Sequence, residues 1–199
     1  MKSASFVRTA GSSLILAALL QLVFGIWQFL APVWPPSLAF SLRNGAIALS
    51  HALVVVGVIG LTRAGATGNG WLGKIGLAIA LFGGTTFVPA ELSIQFNETL
   101  GSNLDGMSAA LLSLGLVLAG IAVIRARLWR GWHAFTPLVT GLYTFLVIIP
   151  SLATAKTPNF LALACWGLPT LFFGIAMRAE VNAGRLTAST ATSQPVAAR

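Results

Sequence analysis

Apolar stretches of roughly twenty residues recur six times along the chain, separated by short segments that are polar, glycine-rich or charged. They cover residues 10 to 31, 44 to 62, 74 to 92, 107 to 124, 133 to 153 and 159 to 177. At about 1.5 Å per residue, each can cross about 30 Å of hydrocarbon as a helix. Backbone polar groups in lipid have to be satisfied within the segment, and the strict alternation of a membrane barrel is absent. The pattern therefore predicts an all-α polytopic membrane protein with six transmembrane helices. With 56% hydrophobic and 8% charged residues, no soluble domain is expected between the spans. Residues 1 to 182 are expected to form the bundle. Residues 183 to 199, rich in Ala, Ser and Thr with Pro195 and no aromatic residue, are expected to be a disordered cytoplasmic tail.

Charge decides orientation. With the amino terminus inside, the cytoplasmic set is Lys2, Arg8, Arg63, Lys74, Arg125, Arg127, Arg130, Arg178, Arg185 and Arg199, and only Arg43 and Lys156 fall outside. Cytoplasmic loops retain Lys and Arg, so both termini are expected in the cytoplasm. Glu91, Glu98 and Asp105 cluster on the outer side, and Glu180 alone lies inside. The net charge of +8 is thus topological, attracted to anionic headgroups, and no nucleic-acid partner is expected from basic residues spread over separate segments. The bilayer is the expected partner, and no protein partner is implied. Lys2 and Arg8 precede an apolar run too long for a typical secretory signal, and the first span reads as a retained helix.

Small residues predict where the helices meet. Gly76, Ala80 and Gly84 fall four apart on the third span, Ala109, Ser113 and Gly120 lie on the fourth, and Gly167 and Gly174 are seven apart on the sixth. Pro89, Pro150 and Pro169 are expected to kink or end their helices. The segment from Ser93 to Gly106 reads as the longest and most acidic outer loop, with Asn97-Glu98-Thr99 matching a glycosylation acceptor.

Chemistry is scarce: four acidic residues, two histidines and one cysteine, Cys165. Polar residues inside spans are costly unless they meet a partner or water, which makes them the candidates for function. Gln21 and Gln28 share a stripe on the first span, and Thr136, Thr140, Tyr143 and Thr144 share one on the fifth. Interhelical hydrogen bonding and the lining of a small cavity both account for them. His51 is placed about 12 Å into the membrane, with Asn44 on the same face and Glu91 closing the third span beside it. His51 and Glu91 could meet directly or through one water and relay protons or bind a polar headgroup. Alternatively, Glu91 stands in headgroup water and His51 bonds to a neighbouring helix.

No cofactor or metal follows from this set. His51 and His133 lie at different depths, which excludes a bis-histidine haem, and one deep His, one Glu and a distant Cys do not make a metal site. The glycine loop, nucleophile elbow and Cys or His motifs of phosphoryl, acyl and thiol chemistry are missing, and no catalytic residue is assigned. Trp129 and Trp132, flanking Arg130, read as interface anchors.

Ser50-His51-Ala52-Leu53, Gly60-Leu61-Thr62-Arg63, Gly76-Leu77-Ala78 and Pro89-Ala90-Glu91 together resemble a loose group of small uncharacterised bacterial multi-pass membrane proteins with no known activity. The resemblance covers the second and third spans and implies a bacterial inner-membrane location. It draws attention to His51 and Glu91 without supplying a function. The sequence thus points to a non-catalytic accessory bundle or one binding a small apolar or amphipathic ligand. The alternative is a proton-linked transporter or membrane enzyme using His51 and Glu91 in the outer half of the bilayer.

Overall fold

The computed structural model describes residues 2–154 and 159–183. Lys156, Arg185 and Arg199 of the charge count, and the tail expected to be disordered, lie outside the described residues. Six helices are long and apolar enough to cross a membrane, and no strand occurs among the described residues. They are α1 (Lys2–Leu30), α2 (Leu38–Arg63), α3 (Trp71–Ser93), α4 (Glu98–Ala126), α5 (131–154) and α6 (Phe160–Asn182). α5 is composite: a 3-10 turn over Gly131–Phe135, an α-helix over Thr136–Tyr143, a π-helical stretch over Thr144–Ile148 and a last turn over Ile149–Thr154. α6 breaks at Trp166, between Phe160–Cys165 and Gly167–Asn182.

Helices packed in chain order form a closed ring: each touches the next, and α6 returns to α1. One end of the ring is solid, filled by Leu14, Val58, Leu61, Leu116, Phe173 and Met177, all fully buried. The other end, which carries the turns 31–37 and 94–97, is open and holds the site described below. Val23, Leu42, Phe82 and Leu146 point outward and are more than half exposed. Such apolar outer surfaces are what lipid-facing helices present.

Close approach of backbones holds the ring, because lipid offers no hydrophobic drive between helices. A Cβ added to Gly115 of α4 would lie 2.2 Å from the Ala80 nitrogen, and one on Gly76 would lie 2.6 Å from that of Ala119. Gly76 and Ala80 thus form the α3–α4 seam, as their spacing predicts. Gly84 does not join them: it faces α2, where its Cβ would meet Val55 at 2.9 Å. α4 and α5 meet at Gly120 and Gly141, and α6 lays Gly167 and Gly174 against the Ala18 and Gly11 carbonyls of α1.

One expectation needs correction. The long acidic outer loop does not exist: α4 begins at Glu98, leaving only residues 94–97 as a turn. Asn97 caps it by accepting from the Leu100 N–H, and Glu98 adds negative charge to the first turn. Asp105 is therefore helical. Pro89 lies within α3, which continues to Ser93. Pro150 instead follows the π-helical stretch of α5, and Pro169 follows the break at Trp166.

The polar stripe of α5 is used within the fold. Thr144 and Ser113 share a hydrogen bond of 2.7 Å across the α4–α5 contact, and Tyr143 donates to the Ala162 carbonyl of α6. Thr136 and Thr140 donate back to carbonyls one turn earlier.

Candidate functional site

At the open end, the ring encloses a cavity of about 310 Å³. Every helix contributes to its wall, and Trp34 and Pro35 from the α1–α2 turn stand at its rim. A second space of about 90 Å³ adjoins it deeper in the bundle, sharing His51, Phe87, Asp105 and Gly106 with the first and reaching Ser113, Thr144 and Trp166. Most of the wall is apolar. Its polar groups converge at one place, where α2, α3 and α4 meet.

His51 lies about 20 Å along α2 from Leu38, deeper than its sequence position suggested, because α2 starts earlier than expected. Its ring stacks on Phe87 of α3 with centroids 3.7 Å apart, and Trp166 of α6 meets it edge-on at 6.5 Å. Trp166 is itself held by its indole N–H donating to the Thr140 carbonyl. His51 is 4% exposed, and its Nδ1 has no hydrogen-bond partner in the protein.

Glu91, one turn after Phe87, is also 4% exposed. It is not a headgroup-facing residue, because α4 extends over it and closes it in. Asn44 of α2 fixes this part of α3 by donating to the Glu91 backbone carbonyl. Arg43 reaches over the same place: its guanidinium donates to Asn44 Oδ1 at 3.1 Å, lies 3.6 Å from Glu91 Oε1, and sits 5.6 Å from the Phe40 ring. Asp105 of α4 comes into hydrogen-bonding reach of the Glu91 carboxyl group. No hydrogen bond joins His51 to Glu91; the two face one cavity.

The two glutamines line the same wall, but their amides are committed. Gln21 donates to the Leu163 carbonyl and accepts from the Ser50 hydroxyl, tying α1 to α6 and α2. Gln28 both donates to and accepts from the Val33 backbone, which fixes the turn after α1. Asn44 is a positioning residue behind the wall.

Five buried side-chain N or O atoms lack a partner among the described residues, and four of them, on Arg43, His51, Glu91 and Asp105, belong to residues lining this cavity. Buried polar atoms in native proteins are nearly always satisfied, so their concentration here marks a place built to meet something polar. Among the described residues, no three His, Cys, Asp or Glu side chains converge as metal ligands.

Comparison with family models, curated proteins and solved structures finds no match. The resemblance noted for the second and third spans rests on the quoted residues alone.

Sequence reasoning singled out His51, Glu91, Asn44, Gln21 and Gln28 and missed Arg43, Phe87, Asp105 and Trp166. Asp105 was readable: Gly101, Asp105, Ser108 and Leu112 follow the three-and-four spacing of one helix face once Asn97 is taken as a cap. Arg43 had no such signal, since its charge suited an outer loop equally well.

Proposed function

We propose that this protein binds a small amphipathic molecule in the cavity between Arg43, His51, Glu91 and Asp105. The observation that carries the proposal is the gathering of unpartnered buried polar atoms on an otherwise apolar wall. Ligand sites typically combine apolar surface with a few convergent polar groups, and about 310 Å³ is at the small end of their range. Beneath the cavity the bundle is solid, which favours holding a ligand over passing one through. Proton-linked transport remains the second reading, supported by an imidazole and two carboxyl groups facing one space. A change in uptake or efflux on His51→Ala, at unchanged abundance, would favour it.

Gly106 provides the test. It lines both parts of the cavity, and a Cβ there meets nothing within 4 Å. Gly106→Leu should therefore fold normally while occupying the space a ligand needs. We expect 2-phenylethanol to bind the full chain in lipid nanodiscs saturably, and about tenfold or more weakly to the variant, a difference of about 1.4 kcal/mol or more. Equal binding to both, or none above empty nanodiscs, would contradict the proposal.

The distribution of Lys and Arg supports cytoplasmic termini, which puts the cavity mouth on the outer side; the bacterial inner membrane is what the resemblance of the second and third spans implies. A carboxy-terminal reporter active only in the cytoplasm should then be active, and an inactive reporter would reverse the orientation.

A further inference from the structure

We infer that the ligand of this cavity is an organic cation, a small amine or ammonium with an apolar body whose positive centre lies against Glu91 and Asp105. The inference rests on the binding function proposed above and names its ligand class. The charged and titratable groups on the wall are Arg43 and His51 from α2, Glu91 from α3, and Glu98 and Asp105 from α4. None lines it from α1, α5 or α6. Acids therefore outnumber the one arginine three to one.

That arginine is already engaged. Its guanidinium is shared among Asn44, Glu91 and the face of Phe40, and its Nε alone has no hydrogen-bond partner. Against that single unused donor stand two unused acceptors. Glu91 Oε1 and Asp105 Oδ1 are covered yet accept no hydrogen bond from the protein. A ligand bringing N–H groups and a positive charge supplies what both need, whereas a carboxylate or phosphate would add a third acceptor to the same corner.

An independent observation points the same way. His51, nine-tenths buried and more, lines the cavity with its Nδ1 unpartnered, and its ring packs with those of Phe87 and Trp166. Aromatic faces beside carboxylates are a recurrent setting for ammonium groups, which gain both ion pairing and attraction to the ring. The apolar remainder of the wall suits an organic body and gives a hydrated inorganic ion too few oxygens.

Three probes of like shape separate the possibilities: phenethylammonium, 2-phenylethanol and 3-phenylpropionate, each titrated into the full chain in nanodiscs at neutral pH. We expect phenethylammonium to bind about tenfold or more tightly than the alcohol, worth about 1.4 kcal/mol or more, and the propionate most weakly. Glu91→Gln combined with Asp105→Asn should remove the preference for the amine over the alcohol. Alcohol binding with no preference for the amine, or tighter propionate binding, would overturn the cation assignment and leave the cavity proposal standing. No saturable binding of any probe would overturn both. The comparison among probes on the unaltered protein decides the matter even if the double variant fails to fold.

Discussion

Gly115→Val is expected to dismantle the bundle. A Cβ at this position would lie 2.2 Å from the Ala80 nitrogen, 2.6 Å from its Cα and 2.6 Å from the Gly76 carbonyl oxygen. All three are backbone atoms, so no side chain can rotate away. The helices have to part along a seam that also fits Gly76 against Ala119 and Gly83 against Leu112. Overpacking usually costs about 1–3 kcal/mol, and a clash against backbone on both sides belongs at or above about 3 kcal/mol. The expected readout is loss of the monodisperse peak in size exclusion and a lowered unfolding temperature in detergent. Gly106→Leu, also on α4 but with open space around its Cβ, should keep both. Wild-type behaviour of Gly115→Val would mean that α3 and α4 do not meet as described.

The second large effect is expected at Arg43. Its side chain is 14% exposed and that of Glu91 6%, so the pair is shielded from water by protein. Arg43→Met would leave Glu91 and Asp105 without their nearby cation and Asn44 Oδ1 without its donor. Removing one partner of a buried pair typically costs about 3–5 kcal/mol, because the other charge stays behind uncompensated. The penalty should shrink when Glu91→Gln and Asp105→Asn are added, since neutral amides need no counter-charge. In thermal unfolding, the triple variant should recover most of the stability lost by Arg43→Met, with a coupling of about 1 kcal/mol or more. Purely additive losses would show that Arg43 contributes packing over Phe40 and nothing to the carboxyl groups.

These two positions also show what the sequence could and could not reveal. The six helices follow from apolar runs alone, because a bilayer admits few other arrangements of such segments. The α3–α4 seam was readable as Gly76 and Ala80, since small residues four apart have one plain use in lipid. Gly84, on the same spacing, turned out to face α2: a helix rotates about 100° per residue, and three residues over two turns span two neighbours. His51 and Glu91 drew attention because polar groups are expensive at depth, yet their relation depended on α4. Hydropathy falls over Glu98 to Asp105, so the start of α4 looked like loop, and Glu91 seemed to stand in headgroup water. Extending α4 to the Asn97 cap buries Glu91, adds Asp105 and turns an interfacial acid into part of a cavity wall. Gln21 and Gln28 share a stripe of the first helix by their spacing, but only geometry shows that their amides are spent on Leu163, Ser50 and Val33.

The most direct test of the binding site is an experimental structure of the full chain in lipid nanodiscs with 2-phenylethanol added, read at the corner between α2, α3 and α4. The account predicts an open cavity holding the probe, with its polar end within hydrogen-bonding distance of His51, Glu91 or Asp105. A cavity closed by side chains, with Glu91 and Asp105 turned out toward the headgroups and the probe found only among lipids, would contradict it.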